Sequence, residues 1–212
     1  MHCKETQDFG ENKNGSYAAG GLKGHTGYDE SCGFGSTILS YKNGLVYKVV
    51  DDKRPANDGS GFWAVFMLVE ENGEWSEWSY GHCSEIFVQE GQRILAGDPI
   101  AREGNRGEVY AGGVRITLAM QAAGDKRGSH RHVQKRLLER IKDDSNPRGR
   151  FITEWSPSVA GAYKDSEGYL YRIKNWDNGY NGCVPPFIKN KLTYLQIALD
   201  LSNKLLRLMT GK

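Results

Sequence analysis

Four of the five histidines of this chain fall in three short motifs: His25 in GHTGYD, where Asp29 follows, His82 in YGHCS, and His130 with His132 in GSHRH. Neutral imidazole binds first-row metals and also carries protons near neutral pH. Two histidines and an aspartate can hold a zinc ion with a fourth position open, and two further histidines remain to move protons. That is the equipment of metal-assisted hydrolysis.

Such a site constrains the backbone that carries it. His25 and Asp29 stand four residues apart. Fully extended, four residues span about 13 Å, too far for both to reach one ion with bonds of about 2.0–2.2 Å. The chain must curl between them, and Gly24 and Gly27 permit it. A helix would also bring i and i+4 together, but glycines on both sides make that the weaker solution. Residues two apart, like His130 and His132, share a face on a strand but diverge by about 200° on a helix. If both serve one site, Ser129 to Val133 is a strand.

The surrounding sequence reads as strands and turns from Ser36 to about Arg102. TILSYKNGLVYKVV predicts a hairpin turning at Asn43-Gly44. GFWAVFMLVE and EWSEWSYGHCS predict a second around Glu71-Asn72-Gly73. EIFVQEGQRILAGDPIAREGN places short apolar pairs between turns at Gly91, Gly97 and Gly104. Gly107 to Gly128 reads as a weakly patterned insertion. VQKRLLERIKDD has helical propensity, in conflict with extension at GSHRH. Beyond it, Asp143 to Arg150 reads as a linker, GYLYRI as a strand, and Leu192 to Met209 as a terminal helix. Trp63, Trp75, Trp78 and Tyr80 read as core and hairpin packing rather than a substrate platform.

With 38% hydrophobic and 25% charged residues, the 212-residue chain suits a soluble globular protein, and 27 glycines suit many tight turns. The net charge of +2 is too small to argue for nucleic acid. No run of 18 apolar residues exists to span a membrane. The N-terminus lacks the basic start and apolar core of a secretory signal. Four cysteines, Cys3, Cys32, Cys83 and Cys183, contain no CxxC pair, which argues against a zinc ribbon. Free thiols are expected ahead of disulfides, with Cys32 and Cys83 close in space but not at the metal.

In order, GHTGYD, YGHCS, VQEGQRILAGDPIAREGN and GSHRH resemble the lysostaphin/LytM-type zinc endopeptidases, the duplicated-hybrid-motif peptidases. The family pattern is H-x-x-x-D, Tyr-x-His, V-x-x-G-x-x-V-x-x-G-x-x-I, then H-x-H, and the likeness runs from about Phe9 to Val133. The resemblance implies a mainly β fold, an antiparallel sheet or sandwich core, here with a C-terminal α-helical extension: 1–142 the peptidase domain and 143–212 the extension. It implies one zinc per chain, held by His25, Asp29 and His132, with His82 and His130 handling protons in an order left open. It implies an endopeptidase acting on crosslinks or stem peptides of bacterial peptidoglycan. The opening FGEN resembles phage members, so a lytic or tail-associated protein with a phage structural partner is expected, acting at the cell wall from a virion or after release from the host cytoplasm. The alternative is a non-catalytic relative that binds wall or builds a virion, and such relatives lose ligands that this chain keeps. The same VQEGQRILAGDPI segment resembles biotinyl and lipoyl carrier domains, but no modifiable Lys sits at its tip. Two departures stand out: Arg131 inside the histidine pair, where an apolar residue is usual, and Val133 after it, where an aromatic is usual. On a strand Arg131 points away from the metal and must reach solvent or an acidic partner. Cys83 stands where Leu is common.

Overall fold

The strand and turn pattern builds two antiparallel sheets that share one core in the computed structural model, which describes residues 3–7, 10–11, 24–51, 63–142, 161–164 and 169–173. The strands are β1 Lys4–Gln7, β2 Tyr28–Ser31, β3 Thr37–Leu39, β4 Gly44–Asp51, β5 Trp63–Glu71, β6 Glu74–Gly81 and β7 Cys83–Ile86. They continue with β8 Arg93–Ile94, β9 Pro99–Glu103, β10 Tyr110–Ala111, β11 Val114–Arg115, β12 Arg131–Lys142, β13 Gly161–Lys164 and β14 Tyr169–Ile173. One short helix, α1, covers Leu118–Ala122 and is capped by the Thr117 hydroxyl. The larger sheet runs β1-β2-β12-β6-β5-β4-β8, with β14 also on β12 and β13 on β14; the smaller runs β3-β9-β7. The fold is mainly antiparallel β, as expected. Among the described residues no helix is long and apolar enough to cross a membrane.

Side chains alternate across each strand, and the large sheet uses both faces. Val65, Met67, Trp78, Tyr80 and Val133 pack inward against Ile38, Ile100 and Ala101 of the small sheet. Their neighbours Ala64, Phe66, Leu68 and Leu138 face the other way, the face that also carries His132, Gln134 and Arg136 by register. Trp78 and Tyr80 are core, and Trp75 packs on Tyr171 with ring centroids 4.7 Å apart.

Several expectations hold and others need correction. The β5–β6 hairpin turns at Asn72 (φ 54°) and Gly73 (φ 80°), with Glu71 facing Glu74, as a two-residue turn of the type that matches strand twist. Asn43-Gly44 makes no hairpin. β3 pairs with β9 and β4 with β5 and β8, so the dipeptide is a corner between sheets. Gly44 serves close approach there, since a Cβ would fall 2.6 Å from the Leu68 carbonyl oxygen. The helical propensity of VQKRLLERIKDD is overridden: β12 stays extended over Arg131–Lys142 because β6, β2 and β14 pair along it. The weakly patterned insertion contains the β10–β11 hairpin and α1. GYLYRI supplies β14. Asp143 to Arg150 and the terminal helix expected at Leu192 to Met209 lie outside the described residues, as does Cys183.

Two of the cysteines, Cys3 and Cys32, depart from the expectation of free thiols, and Cys83 meets it. Antiparallel pairing of Lys4 with Ser31 brings Cys3 beside Cys32, Cα atoms 4.1 Å apart, and the two form a disulfide. Cys83 is a free thiol buried in the shared core, where burial pushes it up to about 12.

Candidate metal centre

β2 and β12 present the centre between them. Their register places Asp29 opposite His132, and such cross-strand partners project from the same face. His25 precedes β2, where the chain bends as the spacing requires. Gly27 makes the bend possible: a Cβ there would lie 2.7 Å from the His132 ring and collide with the Val133 carbonyl. The His25 backbone is clasped on both sides, its carbonyl accepting from Gly10 N–H at 2.9 Å and its N–H donating to the Glu11 carbonyl at 2.8 Å.

Three donor atoms converge as a result. His132 Nδ1 lies 2.9 Å from Asp29 Oδ1 and 3.0 Å from His25 Nε2, and His25 Nε2 lies 3.2 Å from Asp29 Oδ2. A tetrahedral ion with bonds of about 2.0–2.2 Å sets its donors roughly 3.3–3.6 Å apart, so this triangle would accept zinc after opening by a few tenths of an ångström. Burial would raise the Asp29 carboxyl, but hydrogen bonding to His132 and His25 outweighs it and holds the group well below the usual carboxylate range. Asp29 is therefore ionised, as a ligand must be.

His82 and His130 stand beside the triangle, ring centroids 4.4 Å apart, with His82 6.0 Å from His132. Each ring is oriented by a main-chain carbonyl: His82 Nδ1 donates to Arg106 O at 2.6 Å and His130 Nδ1 to Gly128 O at 2.7 Å. A carbonyl only accepts, so each of these rings carries a proton on Nδ1 and turns its Nε2 away from that carbonyl. His130 Nε2 lies 3.5 Å from Asp29 Oδ2. His82 occupies the left-handed region at φ 60°, a conformation that costs a non-glycine residue about 1–3 kcal/mol and is retained where function demands it. Burial, followed by the neighbouring His130 and His132, pushes His82 down to about 3, so its ring is neutral near neutral pH.

All five residues expected at the site thus line one cleft of about 820 Å³. Several contributors were not singled out in the sequence. Arg131 finds its acidic partner in buried Glu30, with Nε and Nη2 at 2.8 and 2.5 Å from Oε1, and the Tyr41 hydroxyl donates to the same oxygen at 2.6 Å. Buried Glu103 accepts from Ser31 Oγ at 3.0 Å, Cys32 N at 2.8 Å, Gly33 N at 3.1 Å and Ser129 Oγ at 3.0 Å, joining the end of β2 to the residue before His130. A glutamate in an REGN turn carries no sign of burial. Glu30 had one available signal, the need of Arg131 for an acid.

The sequence pattern of Peptidase family M23 matches residues 23–129, half of the chain. The chain belongs to this family. The matched segment ends just before His130, and the geometry supplies the rest: the histidine pair of this family M23 chain joins His25 and Asp29 through the β2–β12 register. No curated protein matches the sequence. Among solved structures, the catalytic domain of the prophage-encoded M23 protein EnpA from Enterococcus faecalis is 23% identical, with a TM-score of 0.43 over 64% of this chain and 81% of that one. The lysostaphin catalytic domain from Staphylococcus simulans is 19% identical, TM-score 0.40, over 63% and 80%. A zinc-containing peptidase from Vibrio cholerae is 22% identical, TM-score 0.42, over 63% and 33%.

Proposed function

We propose that the protein is a zinc endopeptidase that hydrolyses crosslinks or stem peptides of bacterial peptidoglycan. Membership of peptidase family M23 supports peptide-bond chemistry. The observation that carries the reading is the triangle of His25 Nε2, Asp29 and His132 Nδ1 with two oriented histidines beside it in a cleft. In this reading His25, Asp29 and His132 hold one zinc per chain. Bound there, zinc supplies an open position that acidifies water and polarises a carbonyl. His82 and His130 share the proton work at Nε2, one taking a proton from the nucleophile and the other serving the oxyanion or leaving amine. Neither can turn its other nitrogen to the task without losing the carbonyl of Arg106 or Gly128.

Residues 1–142 form the catalytic unit in this reading, and 143–212 an extension. The FGEN opening supports a phage-type lytic or tail-associated protein acting at the cell wall. The test is incubation of zinc-loaded protein with purified sacculi of different crosslink types, followed by identification of new amino termini. Cleavage that chelation abolishes and zinc restores is expected. Wall binding with no new termini on any sacculus would favour a non-catalytic relative instead.

A further inference from the structure

Strand β1 borders the metal centre, and its last residue is placed there by a register slip. Lys4 faces Ser31 and Glu5 faces Glu30, but Gln7 then faces Asp29, one step along β2 for two along β1. In a regular strand Gln7 would share the face of Glu5, away from the metal ligands, because residues two apart point the same way. The extra residue, Thr6, makes a β-bulge, a device that re-aims side chains beside active sites. Thr6 and Gln7 both line the cleft. The Gln7 Nε2 atom is buried and has no hydrogen-bond partner among the described residues, a state that calls for an explanation. Little of β1 is buried. It is held instead by the Cys3–Cys32 disulfide at its start and by the Gly10–His25–Glu11 clasp shortly after its end.

We propose that Gln7 is a substrate-binding residue whose side-chain amide donates a hydrogen bond to a main-chain carbonyl of the peptide lying in the cleft. This rests on the endopeptidase reading and adds the group that fixes the substrate's register beside Asp29. An extended peptide offers a carbonyl about every 3.3 Å, so one fixed donor next to a metal ligand selects which of them sits there. The chemistry recognised is the peptide backbone rather than any side chain.

The test uses the full, zinc-loaded chain, with Gln7→Ala and the near-isosteric Gln7→Glu, on soluble muropeptide dimers released from sacculi. Losing one neutral hydrogen bond raises KM about three- to tenfold while kcat stays near wild type. Zinc content and thermal midpoint stay unchanged, because Gln7 Nε2 has no partner among the described residues to lose. Gln7→Glu, which offers no donor when ionised, raises KM at least as much. An unchanged KM overturns the proposal. So does a fall in zinc content or thermal midpoint that accounts for the lost activity, which would make Gln7 structural. If the wild type cleaves nothing, the endopeptidase reading fails, and calorimetric binding of the same dimers decides Gln7. Weaker binding by Gln7→Ala then supports it, and equal or absent binding overturns it.

Discussion

His82 concentrates the chemistry at the residue scale. It lies in a left-handed conformation, its Nδ1 is spent on Arg106, and burial keeps it neutral. None of these features holds a metal. His82→Ala is therefore expected to keep its zinc and lose about 10²–10⁴-fold in turnover, read as cleavage rate beside metal content. His132→Ala loses the metal itself. A turnover for His82→Ala within a few fold of wild type would remove this side chain from the proton path. Gly27 sets a different requirement, because a methyl group there meets the His132 ring and the Val133 carbonyl. Gly27→Ala is expected to weaken zinc binding about ten- to hundredfold, the cost typical of disturbing a ligand's support, measured by competition with a chelator. The motif residues were legible because their types and spacing carry the chemistry. Gln7 and Glu103 were not, because a glutamine in KETQ and a glutamate in REGN acquire their roles only from a bulge and a buried corner.

At the element scale, the β2–β12 pairing does the positioning. Arg131 faces Glu30 on one side of the ribbon while His132 faces Asp29 on the other, so a single register sets both pairs. Removing one partner of a buried ion pair leaves a stranded charge and costs about 3–5 kcal/mol, whereas replacing both can be nearly neutral. Glu30→Gln or Arg131→Met alone should lower unfolding stability by about that amount in urea. The double variant removes both charges, keeps an acceptor for Tyr41, and should recover most of the loss; no recovery would show that the pair is not the lock. The disulfide offers a second check. Closing a 29-residue separation stabilises the fold by roughly 3.5 kcal/mol in chain-entropy terms. Cys3→Ser should lose stability and, by freeing β1, also raise KM in the manner of Gln7→Ala. Sequence reasoning reached the β5–β6 hairpin because a two-residue Asn-Gly turn is set locally. It failed at Asn43-Gly44, which carries the same local signal, because β9 and β5 compete successfully for the two arms. The Cys3–Cys32 bond escaped notice since nothing in KETQ announces a strand.

For the molecule as a whole, one sheet serves two purposes. Its inner face shares a core with the small sheet, and its outer face carries the cleft. Cys83 belongs wholly to the inner side, where burial holds its thiol protonated. Iodoacetamide at pH 8 should leave Cys83 unmodified in the folded protein and label it after denaturation, as peptide mapping would show; labelling in the native state would contradict the core assignment. The fold class, and the meeting of His25, Asp29 and His132, were readable because the ordered motifs resemble those of a known family. The Glu103 junction, which joins β9, the end of β2 and Ser129, was not readable, since each contact spans tens of residues.

The most direct test is the zinc content of purified wild-type protein and of His132→Ala, measured by mass spectrometry alongside cleavage of sacculi. One zinc per wild-type chain is expected, with most of the metal and all detectable cleavage lost in the variant. A wild-type chain that binds no zinc, or a His132→Ala chain that retains it fully, would contradict the assignment of His25, Asp29 and His132 as one metal centre.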